Sequence, residues 1–241
     1  SERSVHAVGA GPGIREPPTA RGVETAIPPR RPITAVPSTL VHVALAGLLA
    51  AALLREDEFS RRAVGIVLLA AVFPDLDSFV SPFLAGAHRS LGHNVLIPAA
   101  GAALLAYDGR VRDRSWLRAR FGAATPGVAW VALAGFAIAG VGLDYVTNGV
   151  NLFWPLHDQF YTLNGRAGLS TQRGFFQTFV DLTPAPVRTT ENLHYATGVD
   201  PSPGAEPEDV ERVFPLAWAG WQLLLVAASV GVLAIRFARG R

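Results

Sequence analysis

Hydrophobic positions in this chain gather into long blocks almost free of charge: residues 39–54, 63–80, 93–107, 127–147 and 213–235. The last two are long enough to cross ~30 Å of hydrocarbon, at ~20 residues per span. The first three are shorter or broken by polar residues, so each by itself also suits a buried or re-entrant helix. Gly and Ala run throughout the blocks, the composition of helices that pack closely on one another. The pattern predicts an all-α, polytopic integral membrane bundle of about five helices. Residues 1–37 carry the Pro/Gly/Arg bias of a disordered tail and are set apart from the fold. Residues 38–160 form the membrane core and 161–212 a polar excursion. Residues 213–241 give the final helix and a basic tail.

Charge adds an orientation. Every basic residue is Arg, and 11 of the 21 arginines cluster in three places. Arg55, Arg61 and Arg62 separate the first two blocks. Arg110, Arg112, Arg114, Arg118 and Arg120 separate the third and fourth, and Arg236, Arg239 and Arg241 follow the fifth. If all five blocks span, these segments share one side, the cytoplasm by the positive-inside bias. The 110–120 run then reads as a topology anchor, and no nucleic-acid partner is expected. Residues 81–92 and the 148–212 stretch face outward.

Within that topology the polar residues converge. His42 starts the first helix and Asp75 and Asp77 end the second, where Pro74 removes a backbone donor. His88 and Arg89 lie in the outer loop and His93 opens the third helix. Asp144 ends the fourth, with Asn148 one turn beyond on the same face. Ionisable groups near a bilayer are costly, so such a cluster points to function. The chain has no Cys, which excludes thiolate ligands. His and carboxylate donors suit Zn²⁺ first, with Mn or Fe as alternatives, and a bound ion brings the pKa of water from 15.7 towards ~7. Arg89 is suited to clamp a phosphate or carboxylate. The surface location suits a lipid headgroup.

The stretches LVHVALAGLL, PDLD at 74–77, HRSLGH at 88–93 and LDYVTNGVNLFWPL at 143–156 occur in the order and rough spacing of the YdjM family of membrane-bound, metal-dependent hydrolases. The chain resembles that family over about residues 39–160. The resemblance implies a helical membrane protein whose His and Asp residues bind metal, and a distant relation to zinc-dependent phospholipase C and P1 nuclease, which hydrolyse phosphate esters. Two positions where many members carry His hold Ser78 and Gly140 here; His157 or Asn148 would be the substitutes. His194 and His6 read as unrelated to the site.

The expectation is a multi-pass cell-membrane hydrolase with an outward-facing metal site, acting on a phosphoester in a lipid or lipid-linked substrate. Its metal ligands are drawn from His42, Asp75, Asp77, His88, His93 and Asp144, and its catalytic residues are Asp75, Arg89 and His93. Whichever of Asp75 and Asp77 is not a ligand serves as general base. Two other classes stay open: a proton-coupled transporter using the same groups as a relay, and a membrane scaffold with a degenerate site.

Overall fold

The computed structural model describes residues 38–179 and 187–240; residues 1–37, with His6, lie outside the described residues. The described chain is mostly helical. Helix α1 (Thr39–Leu53) and α2 (Arg61–Val72) are followed by a 3₁₀ helix (Phe73–Phe79), α3 (Leu96–Arg110) and the short α4 (Trp116–Phe121). Then α5 (Thr125–Ala134), a π-helical segment (Gly135–Gly142) and α6 (Leu143–Thr147) join into one 23-residue rod, Thr125–Thr147. A small hairpin of β1 (Ala167–Ser170) and β2 (Gly174–Gln177) sits in the polar excursion, and α7 (Gly220–Arg239) closes the chain.

A helix falls in each of the five apolar blocks, but only Thr125–Thr147 and Gly220–Arg239 are long and apolar enough to cross a membrane unaided. The second block departs from a single helix for a local reason. Pro74 offers no N–H, and from Phe73 the chain tightens into 3₁₀ winding. The third helix begins at Leu96 rather than His93, because Asn94 Oδ1 accepts from the Leu96 and Ile97 amides at 3.1 and 3.2 Å and so caps the first turn.

The core is built from small side chains. Ala46 and Ala50 of α1, Ala63, Val64, Val67 and Ala71 of α2, and Val128, Val131 and Ala132 of α5 form one buried cluster. Helix α7 lies along α1 in the same direction. Ser38 Oγ donates to Leu216 O (2.6 Å) at one end, and Arg236 donates to the carbonyls of Ala50 and Leu54 at the other. Between them Gly47 lets the helices close, since a Cβ there would stand 2.4 Å from Ser229 Oγ. The outward faces remain apolar: α3 buries no residue, and Leu223, Leu224, Val230 and Ile235 of α7 are exposed. Such a surface is costly in water and suits hydrocarbon.

The arginine segments share one end of this bundle. Arg236 reaches the end of α1, and the Glu58 carboxylate of the α1–α2 loop occupies the space left by Gly127 at the start of α5. The candidate site residues lie at the other end.

Candidate metal centre

Four separate pieces of chain supply the site: the start of α1, the 3₁₀ helix after α2, the 80–95 loop and the start of α6. Two glycines bring them together around Pro74. A Cβ on Gly92 would lie 2.4 Å from Pro74 O, and one on Gly140 would lie 2.9 Å from Pro74 Cγ. The PDLD turn is thus gripped between the HRSLGH loop and the π-helical segment, a type of helix irregularity frequent at functional sites.

Asp77 organises the interior. Its Oδ1 accepts from His88 Nδ1 (2.8 Å), and its Oδ2 accepts from His93 Nδ1 (2.9 Å) and from the Arg89 and Gly92 amides (both 3.1 Å). With both oxygens engaged in this way, Asp77 fixes two imidazoles by Nδ1 and leaves Nε2 of each for other work. His42 is held likewise, donating from Nδ1 to Ala139 O at 2.5 Å.

The Nε2 atoms of His42 and His93 meet two carboxylates. His93 Nε2 lies 3.0 Å from Asp144 Oδ2 and 3.4 Å from Asp75 Oδ1, and His42 Nε2 lies 3.8 Å from Asp144 Oδ1. Among the described residues, His42, Asp75 and Asp144 each offer one ligand atom within 4.8 Å of the others. Ligands ~2.1 Å from a shared tetrahedral ion stand ~3.4 Å apart, so these separations suit one. His93 Nε2 and Asp144 Oδ1 are buried without a well-formed hydrogen bond, a costly state that a cation between them would relieve. Three carboxylates against the Arg89 guanidinium leave −3 + 1 = −2 with neutral imidazoles, which a divalent ion cancels. The Asp77, Asp144 and Asp75 carboxylates all lie within 3.4 Å of a His93 ring nitrogen. The position favours a cation, proton or metal.

A family model described as YdjM inner membrane protein matches residues 38–238. The chain belongs to the YdjM inner membrane protein family. No curated protein and no solved structure matches it. In this YdjM family member Ser78 Oγ donates to Asp75 O (2.7 Å), and Gly140 abuts Pro74 with no room for a side chain. Neither position opens a gap in the His42–Asp75–His93–Asp144 cluster. Of the two suggested substitutes, His157 is exposed and contacts Gln159 (3.2 Å), while Asn148 binds the excursion through its carbonyl. His194 stands beside Asp200 (3.8 Å).

Arg89 is buried, in the left-handed region at φ 66°, with its guanidinium 3.1 Å from Asp144 Oδ1. Above it lies Tyr195, its ring centroid 4.7 Å from the guanidinium carbon. Tyr195 donates to Asn148 O (2.8 Å) and accepts from Arg188 (2.7 Å). The excursion therefore covers the site. No periodic signal marks Tyr195 or Arg188, because their contacts are purely tertiary.

Asp158 ties this cover down, accepting from Asn151 Nδ2 (2.6 Å), Thr190 Oγ1 (2.7 Å) and Thr190 N (3.1 Å). Partial burial raises its pKa, but the Thr190 and Asn151 hydrogen bonds outweigh that and hold it below the ordinary carboxylate value. A lowered pKa means the tie is present at neutral pH and is lost as pH falls through that depressed value. Losing one such charged acceptor costs ~1–3 kcal/mol. Asp158→Asn is expected to speed limited proteolysis within residues 187–200 by about tenfold at pH 7; an unchanged cleavage rate would show that the tie contributes nothing.

Proposed function

We propose that this family member is a multi-pass membrane hydrolase that uses a divalent metal, with Zn²⁺ the first choice, to cleave a phosphoester in a lipid or lipid-linked substrate. The observation that carries the reading is the meeting of two buried atoms that make no well-formed hydrogen bond, His93 Nε2 and Asp144 Oδ1, with His42 and Asp75. The phosphoester class follows the resemblance given above, and fold likeness alone is a weak warrant for substrate. All five blocks cross the bilayer in this reading. Helix α2 with its 3₁₀ extension reaches ~32 Å at ~1.5 and ~2.0 Å per residue. The arginine end faces the cytoplasm and the site faces the extracytoplasmic side.

His42, Asp75, His93 and Asp144 hold the ion. When bound, it supplies a Lewis acid that polarises a phosphoryl oxygen and acidifies water. Asp77 and the Ala139 carbonyl keep the imidazoles in register, the second-shell task that typically accounts for 10–100-fold in affinity. Arg89 steadies Asp144 and, under Tyr195, is a positioning residue. His88 is 12% exposed where His42 and His93 are 1% and 0%, and its ring centroid is 5.8 Å from that of His93. Backed by Asp77, its Nε2 is the group placed to take a proton from attacking water. Burial, the larger influence, pushes its pKa below the ordinary value against the pull of Asp77, so the ring is neutral and basic at pH 7.

Phosphate release from phosphatidic acid vesicles by zinc-, manganese- or iron-loaded protein tests this. Turnover should stop with chelator. In His88→Ala kcat should fall ~10²–10⁴-fold with metal retained, the usual worth of a general base. Stoichiometric metal with no release from phosphatidic acid or from bis(p-nitrophenyl) phosphate would overturn the assignment.

A further inference from the structure

An apolar groove of about 440 Å³ runs between α2, α3 and α5. Its walls include Ala70, Ile97, Gly101, Leu105, Leu133 and Phe136. Gly101 lets α3 close on α5, since a Cβ there would stand 2.9 Å from Leu133 Cδ1. Ile97 and Leu105 bound the groove along α3, so it extends ~12 Å along the helix axes at 1.5 Å per residue. At one end the Phe136 ring lies 6.1 Å from that of Phe73, the residue that precedes Pro74 and Asp75 in the chain.

We propose that this groove binds one hydrocarbon chain of the substrate lipid, so that the headgroup phosphoester is presented at Asp75; the proposal rests on the hydrolase reading above. Lining and size select the occupant. Every lining residue is apolar, with no charge or polar side chain for a headgroup or a polar partner, and about 440 Å³ gives room for a single alkyl chain. The exposed apolar faces of α3 and α7 put the slot at hydrocarbon depth, where chains arrive laterally from the bilayer. Asp75 is more exposed than Asp144, 16% against 1%, with its Oδ2 accepting from Thr39 Oγ1 at 2.6 Å. A chain in the groove and a phosphate at Asp75 therefore require no passage through the buried interior. Binding energy from the remote chain would then serve to orient the reacting phosphate.

The test uses full-length protein in nanodiscs containing phosphatidic acid with a mid-chain diazirine. Photo-crosslinks are expected to concentrate on α2, α3 and α5, at least about fivefold over α7. Two plugs, Ala129→Phe on the floor and Ile66→Trp on the exposed rim, should each remove that enrichment, while Leu224→Phe on the outer face of α7 should not. The plugs should also raise KM for long-chain phosphatidic acid at least about fivefold and leave dihexanoyl phosphatidic acid unchanged. Crosslinks spread evenly over all exposed helices, or enrichment untouched by both plugs, would overturn the groove. Phosphate release alongside that result would leave the hydrolase reading standing; enriched, plug-sensitive crosslinks without release would retain the groove and sink the hydrolase reading.

Discussion

Asp144→Asn is expected to lower affinity for a divalent metal ~100-fold or more, read by competition with a chromophoric chelator. The side chain keeps its shape, so the loss isolates charge and coordination. Asp144 lies 3.0 Å from His93 Nε2, 3.1 Å from the Arg89 guanidinium and 3.8 Å from His42 Nε2. Second-shell changes alone typically cost 10–100-fold, and Asp144 is placed in direct reach of the ion. The same change leaves Arg89 buried without its counter-ion, which destabilises by ~3–5 kcal/mol, so metal-free Asp144→Asn should also melt earlier than metal-free wild type. Wild-type affinity in the variant would rule out Asp144 as a ligand.

Gly92→Ala should be nearly as damaging, although it touches no ligand. Its Cβ would stand 2.4 Å from Pro74 O and 2.8 Å from Pro74 Cα, backbone atoms that cannot swing aside. Either the HRSLGH loop or the PDLD turn must shift, and the Gly92 amide then leaves Asp77 Oδ2, now 3.1 Å away. Overpacking of this kind costs ~1–3 kcal/mol and sometimes more, and here it also misplaces His93. The expected result is a lower melting temperature together with reduced metal occupancy. Gly65→Ala provides the contrast: nothing lies within 4 Å of its Cβ inside α2, so it should be neutral or stabilising by up to ~1 kcal/mol. Equal behaviour of the two variants would contradict the tight contact at Pro74.

Much of this was legible in the sequence. The apolar blocks located the helices, and the arginines sorted their ends, which was enough to gather His42, Asp75, His88, His93 and Asp144 at one end. The different placements of Asp75 and Asp77 were not legible. In 3₁₀ winding, residues two apart are turned ~120° from each other, so one carboxylate faces the cluster and the other the loop backbone. PDLD shows the proline but not the winding that follows it. Arg89 reads from sequence as a bidentate clamp beside a candidate ligand, but its burial under Tyr195 depends on a segment remote in sequence. Gly92 was within a quoted motif, yet a glycine's close approach is visible only once the facing backbone is known.

His42, Asp75, His93 and Asp144 are the four side chains proposed to hold a divalent ion. Elemental analysis of metal-reconstituted wild type beside His93→Ala, both purified in detergent and matched for helical content, tests this assignment most directly. About one equivalent of zinc, manganese or iron is expected in wild type, and less than about a tenth of that in the variant. Wild type that takes up none of these ions, or a variant that retains the full equivalent, would contradict it.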